Sequence, residues 1–338
     1  MDVATRAPLI GDGVRASAPR RGVSLRVYFA IYFVASSVFV SSASAQKDCK
    51  KPLYLTFDTG HMAVAPLVAD VLARQQVRVT FFAANERTQE GDGSLGDHWA
   101  SWWRARAAEG HEFASHTWDH TYWRADLGSA QAPSFRVRPS AGPRAGQDFV
   151  LTAAGYCEEI ARAADRLKHV TGKTPLPLFR APGGKTSPQL LASARACGYT
   201  HVGWSPAGFL GDELPSEKAS NTALLNKALR DVRSGDILLA HLGIWSRKDP
   251  WAPAVLEPLI VGLKARGHCF ATLTEHPELG EAARRLRLRR GDAEALEAVA
   301  RGDADRAEAL MRRHGDQASA HLTEQLSEAA ATDNSVVL

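Results

Sequence analysis

The sequence predicts an α/β fold, a (β/α)7 barrel with a short helical extension at its carboxyl end. Three observations carry the prediction. Short β-branched or aromatic runs alternate with longer amphipathic stretches from Lys51 almost to Leu279, the short runs number seven, and chemically active side chains gather where those runs end. Strand followed by helix, repeated in this order, implies a parallel sheet, and seven units suggest closure into a barrel.

The first strand spans Pro52–Phe57, an almost continuously apolar run that leads into the helical pattern Val64–Gln75. Val77–Phe82 and Glu112–Ser115 follow, separated by the helix His98–Glu109. Trp99, Trp102 and Trp103 all fall within that helix and are assigned to core packing. The long periodic stretch Thr152–Val170 precedes the fourth strand, Pro177–Arg180, and Pro188–Cys197 separates it from the fifth, Thr200–Trp204. Helix Asn221–Val232 leads to the sixth strand, Asp236–Ala240, and helix Ala254–Arg266 to the seventh, Cys269–Leu273. Two segments break the rhythm. Residues 124–147 form a Pro, Ser, Arg and Ala-rich stretch with little periodicity, read as a long loop inserted into a 46–280 domain. The tail over 281–338 lacks Trp, Phe and Tyr and repeats Gly-Asp-Ala, which places Asp292 and Asp303 as N-caps of a pair of short helices.

With 45% hydrophobic and 23% charged residues in 338, the chain has ordinary globular composition, which excludes a disordered, collagen-like or wholly membrane-embedded protein. The formal charge is +4, but the first 45 residues hold five Arg and two Asp, leaving 36 basic and 35 acidic residues elsewhere. A body so nearly neutral lacks the clustered cations that nucleic acid requires, so no nucleic-acid partner is expected. Arg20, Arg21 and Arg26 precede a 14-residue apolar run, Val27–Val40, and a small-residue ending at Ala45. That order is a secretory signal, residues 1–45, cleaved after Ala45, and it predicts a secreted or periplasmic protein. The apolar run is shorter than the roughly 20 residues that span a bilayer, so no stable membrane anchor is expected. Cys49, Cys157, Cys197 and Cys269 all lie in the exported part, where two disulfides, or buried thiols with at most one bridge, are both open.

In a parallel barrel, chemistry sits where strands end and the following loops begin. The first strand runs into Thr56-Phe57-Asp58-Thr59-Gly60-His61, and the third into Ser115-His116-Thr117-Trp118-Asp119-His120. The fourth gives Arg180-Ala181-Pro182-Gly183-Gly184, the fifth Trp204, and the sixth Leu239-Ala240-His241. One acid, one Arg and several His thereby converge on one face. The spacing of His116 and His120 puts both imidazoles on one side of the chain if that loop is helical, as coordination of a divalent metal requires.

These segments, Thr-Phe-Asp-x-Gly, His-Thr-x-x-His, Arg-x-Pro-Gly-Gly and Leu-x-His, resemble in order and spacing the polysaccharide deacetylase, or NodB-homology, family (carbohydrate esterase family 4). The resemblance covers about Lys51 to Leu279. It implies a distorted seven-stranded barrel and a divalent-metal-dependent hydrolase, with zinc as the expected ion, that removes acetyl groups from an N-acetylated glycan such as peptidoglycan or another envelope polysaccharide. By the same resemblance Asp58 is the base that takes a proton from the attacking water, His116 and His120 are metal ligands, Arg180 orients Asp58, and His241 is the general acid. Leu239 lines the acetyl-methyl pocket, and Gly183 and Gly184 offer backbone N–H groups to the oxyanion. Trp118, Trp204 and Trp245, with Trp123 and Trp251, lie near enough in this scheme for their rings to stack on sugars or to pack in the core.

One departure stands out. The family's first motif carries two consecutive Asp, base then ligand, and here the second position is Thr59. Three outcomes follow: a water held by Thr59 fills the position, His61 replaces the carboxylate, or the site binds no metal and the protein is a glycan binder. A further alternative keeps hydrolysis but moves the substrate to a small linear or cyclic amide. The family's Asp-Trp motif is also blurred, with Asp212 as a distant candidate partner for His241.

Overall fold

The computed structural model describes residues 49–313 and residue 316; the expected signal segment and its cleavage point at Ala45 lie outside them. In chain order the elements are β1 (Pro52–Asp58), α1 (Ala65–Arg74), β2 (Thr80–Ala83), α2 (Ala100–Ala108), β3 (Glu112–Ser115), β4 (Thr121–Gly128), β5 (Pro133–Pro139), β6 (Phe149–Thr152), α3 (Ala153–Thr171), β7 (Leu178–Phe179), α4 (Pro188–Ala196), β8 (Thr200–His201), α5 (Asn221–Asp231), β9 (Ile237–His241), α6 (Leu256–Ala265), β10 (Cys269–Phe270) and α7 (Pro277–Ala300). All seven strands expected from the sequence are present, and they form one parallel sheet in the order β10-β1-β2-β3-β7-β8, with β9 on β1. Serine and threonine caps start three of the helices: Thr152, Ser187 and Ser220 accept from the N–H of Gly155, Leu190 and Ala223.

Period-two alternation divides the strand residues between two apolar clusters. Leu53, Leu55, Phe57, Phe81, Phe113, Leu238 and Ala240 face the helices. Tyr54, Phe82, Ala114, Leu178, Leu273 and the partly buried Ile237 share the other face. Asp58, His116, Arg180 and His241 stand at the same parity as Tyr54, Ala114, Leu178 and Ile237, so the alternation that builds the inner cluster also aims these four groups together. The sheet is not closed by regular ladders. Between β8 and β9 the described residues form no ladder: Ser205 N–H to Ile237 C=O (3.0 Å), Ile237 N–H to Ser205 Oγ (3.0 Å), Leu210 N–H to Leu239 C=O (3.3 Å) and the bridge of Phe209 with Leu239 join the neighbouring chain to β9.

Two expectations need correction. Residues 124–147 are not a loop: β4 and β5 hold half of that stretch and, with β6 just after it, make a separate three-stranded antiparallel sheet. In β5, Phe135 and Val137 turn inward onto Tyr156 and Phe179, while Arg136 and Arg138 face solvent. The tail is helical, but α7 runs continuously through Gly291 and Asp292, so only Asp303 acts as an N-cap, accepting the N–H of Arg306 at 3.1 Å before a helix over 304–313. Ala295 and Ala298 of α7 pack against Ala307 and Leu310. All four cysteines are bridged, Cys49 to Cys269 and Cys157 to Cys197.

Candidate active site

Strand register sets the level of the site. Asp58 is the partner of His241 on β9 and of Phe82 on β2, while Ser115 pairs with Ala83 and with Phe179. His116 and Arg180, one residue past Ser115 and Phe179, therefore reach the rim that Asp58 and His241 occupy. Arg180 is fully buried, and its Nη1 donates to Asp58 Oδ1 at 2.6 Å. The rest of the guanidinium donates to the Val202 carbonyl (3.1 Å) and the Gly203 carbonyl (3.0 Å) and lies 4.1 Å from the centre of the Phe82 ring. Burial alone would raise the Asp58 carboxyl, but the Arg180 guanidinium, with His116 and His241, outweighs it and holds Asp58 below its ordinary value. Asp58 is therefore an ionised carboxylate, able to accept a proton.

His241 has the opposite tuning. Burial opposes its charged form, yet Asp212, Asp58 and Glu213 overcome that and push the imidazole up to about 9. Asp212 carries most of this: Oδ1 meets Nδ1 at 3.0 Å, and Oδ2 accepts the backbone N–H of His241 at 2.6 Å. Nε2 is left facing the site, 3.8 Å from Glu213. At neutral pH His241 is an imidazolium that can give up a proton.

His116 and His120 are adjacent, with ring centroids 4.8 Å apart, but no helix brings them together. The chain between them makes a tight turn in which Thr117 and His120 adopt positive φ, 64° and 49°. Glu159 on α3 holds that turn, its carbonyl accepting the Trp118 N–H at 2.7 Å and its carboxylate accepting Asp119 N–H (3.0 Å) and Thr121 Oγ1–H (2.7 Å). Nδ1 of His116 donates to the Arg180 carbonyl at 2.8 Å, which fixes the tautomer and leaves a lone pair on Nε2, 3.4 Å from Asp58 Oδ2. Burial lowers His116 to about 4, so the ring is neutral, the form that binds metal. His120 Nδ1 bonds Ser140 Oγ at 2.5 Å.

Thr59 is buried, and its hydroxyl accepts the Ala84 N–H at 3.0 Å. His61 accepts the Ala63 N–H on Nδ1 and packs edge-on against Trp245 at 5.1 Å. Gly183 and Gly184 adopt φ of 64° and 66° beneath Tyr122 and Trp204, where a Cβ would collide with either ring. Only glycine fits both demands. The Gly184 N–H is spent on the Ala181 carbonyl (2.9 Å). Leu239 is buried in β9. Of the tryptophans, Trp204 lies 5.8 Å from the Arg180 guanidinium and Trp245 is 58% exposed beside His61, whereas Trp118 packs on the core beneath Arg162. Trp123 belongs to the insertion sheet, and Trp251 lines a cleft of about 310 Å³ with His61, Gln89, Asp212, His241 and Arg247.

Glu86 escapes a reading confined to the ends of the first, third, fourth, fifth and sixth strands. It follows β2 by three residues, with Oε1 3.8 Å from His120 Nδ1 and Oε2 buried without a protein donor. Extending the same search to the end of the second strand finds it. Among the described residues no three His, Cys, Asp or Glu side chains already stand at ligating separations. The donor chemistry nevertheless suits a divalent ion: two imidazoles, one of fixed tautomer, beside a carboxylate oxygen with no other partner. Among the described residues no helix is long and apolar enough to cross a membrane.

Comparison with known proteins agrees with this layout. Residues 45–202 match the family model described as Polysaccharide deacetylase. A chitooligosaccharide deacetylase of Azorhizobium caulinodans is 27% identical over 231 residues, covering 65% of this chain and 92% of that protein. A peptidoglycan-N-acetylglucosamine deacetylase of Bacillus cereus is 26% identical over 227 residues, covering 67% and 88%. Among solved structures, a family 4 acetyl xylan esterase from Clostridium thermocellum, in complex with a cobalt ion, superposes with a TM-score of 0.50 at 26% identity, over 68% of this chain and 91% of that one.

Proposed function

Because the chain belongs to the polysaccharide deacetylase family and is a hydrolase of carbon–nitrogen bonds other than peptide bonds, we propose that it removes acetyl groups from an N-acetylated envelope or extracellular glycan, peptidoglycan foremost. In this reading residues 1–45 direct export, 46–280 are the catalytic domain and 281–338 an accessory tail. The observation that carries the reading is the pairing of Asp58 with His241 across β1 and β9: an anion held by Arg180 stands opposite a cation held by Asp212. Environments that push two titratable groups apart are how acid and base roles are divided.

Amide hydrolysis needs both. Asp58 removes a proton from the water as its oxygen bonds to the acetyl carbon. His241 then donates a proton to the nitrogen as the carbon–nitrogen bond breaks, releasing acetate and a free amino sugar. Arg180 keeps Asp58 ionised and oriented through both steps. A divalent ion, zinc or a similar metal, held by His116 and His120, would supply polarisation of the acetyl carbonyl and acidification of the water. The cleft between His61, His241 and Trp251 is of a size to take a sugar, and the exposed Trp245 offers a stacking face at its edge.

The test is acetate release from N-acetylglucosamine oligomers and from peptidoglycan, before and after chelation and with zinc or cobalt restored. Acetate that is lost on chelation and returns with metal supports the proposal. Neither bound metal nor acetate from any acetylated glycan would leave a sugar-binding protein, the reading that the neutral Thr59 favours. Turnover of small linear or cyclic amides alone would move the substrate class.

A further inference from the structure

On the reading of the chain as a metal-dependent deacetylase, we infer that Glu86, from the loop after β2, is the carboxylate ligand of the metal and stands in for the acid that position 59 lacks. Both substitutes offered by the first motif are otherwise engaged. The Thr59 hydroxyl holds the Ala84 N–H, and an alcohol is a poor ligand beside a thiolate, imidazole or carboxylate. The His61 ring is tied to the backbone at Ala63 and Ile244 and sits against Gly243 and Trp245.

Glu86 has the contrary arrangement, a fixed backbone and an uncommitted head. Its N–H donates to Ser94 Oγ at 2.9 Å, and its carbonyl accepts the Ser94 N–H at 2.9 Å. Ser94, fully buried, also donates its hydroxyl to the Ala84 carbonyl at 2.6 Å, and the Asn85 N–H donates to the Trp118 carbonyl at 2.7 Å. The last of these bonds ties the loop after β2 to the turn that carries both histidines. Past this clamp, Oε1 lies beyond hydrogen-bond range of His120, and Oε2 is buried with no protein donor. An unpaired buried carboxylate oxygen is costly, and a cation shared with two imidazoles removes that cost.

Purified full-length protein and the Glu86→Gln, Thr59→Ala and His116→Ala variants are titrated with zinc against a chelating fluorophore, and their cobalt forms are recorded in the visible. Glu86→Gln is expected to weaken zinc by at least about tenfold and to alter the cobalt ligand-field bands, with Thr59→Ala within about threefold of wild type and His116→Ala losing the site. Wild-type protein that takes up no zinc or cobalt overturns the metal-dependent reading and this inference with it. Wild-type binding that Glu86→Gln leaves intact overturns Glu86 alone, as does a weakened variant with unchanged cobalt bands, because Glu86 would then act only through its field. Should Glu86→Gln fail to fold by circular dichroism, Thr59→Asp in the wild-type background decides. It leaves zinc affinity within about threefold if a carboxylate is already present, and raises it by at least about tenfold if none is.

Discussion

Replacing Arg180 with Met isolates the interaction on which the site is built. The guanidinium is fully buried, its Asp58 partner is 3% exposed, and the bond between them is 2.6 Å. Removing one member of a buried pair costs about 3–5 kcal/mol, because the remaining charge is left without compensation. The Val202 and Gly203 carbonyls also lose their donor, adding about 1 kcal/mol after relaxation. At about 2–4 °C per kcal/mol for a domain of this size, Tm falls by on the order of 10–20 °C at pH 7.5. The pH dependence sharpens the test. Asp58 is held below its ordinary value, so the wild-type contribution is complete above that ordinary value and is lost as pH falls through the folded one. In Arg180→Met, burial dominates and Asp58 takes up a proton more readily, so the deficit relative to wild type shrinks between pH 7.5 and about 4.5. Urea unfolding followed by circular dichroism at both pH values measures it. Asp58→Asn added to Arg180→Met recovers part of the loss, since no charge remains to be compensated. A deficit under about 1 kcal/mol at pH 7.5, one that does not change with pH, or a double variant no better than the single would refute the reasoning.

Asp58→Asn lowers kcat for acetate release by at least about 10²-fold while metal content stays at the wild-type level, and substantial residual turnover contradicts its role as base. Asp212→Asn removes the chief support of the imidazolium at His241, so its titration moves down from about 9 and the alkaline limb of the kcat profile moves with it. Activity at pH 8.5 then falls more than at pH 6.5, and a profile with an unmoved limb argues against His241 as the acid. Replacing Cys157 and Cys197 with Ser opens a bridge spanning 40 residues and costs about 2–4 kcal/mol, read as a lower urea midpoint with unchanged metal affinity.

The parallel core was legible because its signal is redundant. Glu112–Ser115 coincides with β3, and the other strands and helices lie within a few residues of the ranges read from apolar patterning. The insertion sheet was hidden by composition: β5 reads Pro-Ser-Phe-Arg-Val-Arg-Pro, where two inward apolar residues are too few to stand out between two prolines and two arginines. The tail misled in the other direction, because a Gly-Asp pair can cap a helix or be carried through one, and α7 carries it through. At the site, Asp58, His116, Arg180 and His241 could be gathered from strand ends alone, since register and period two do the gathering. The geometry of His116 and His120 could not, because it depends on positive φ at Thr117 and His120 and on a carboxylate 39 residues after His120, Glu159. Glu86 is marked in the sequence only by its place just after the second strand, and an acid there looks solvated until the fold closes over it.

The stretch that patches the sheet between β8 and β9 ends two residues before Asp212. Three backbone contacts, through Ser205, Phe209 and Leu210, hold that stretch to β9, and Asp212 then clasps His241 by its ring and its N–H. Mechanical integrity of the wall and the charge on His241 are therefore one property. A fluctuation that peels Leu210 from Leu239 also withdraws the counter-ion from His241 and lets its proton go to solvent. The seam between β8 and β9 is thus wired to the imidazolium that we propose as the proton donor, so the Leu210 amide, by its rate of hydrogen exchange, reports how often that group loses its counter-ion.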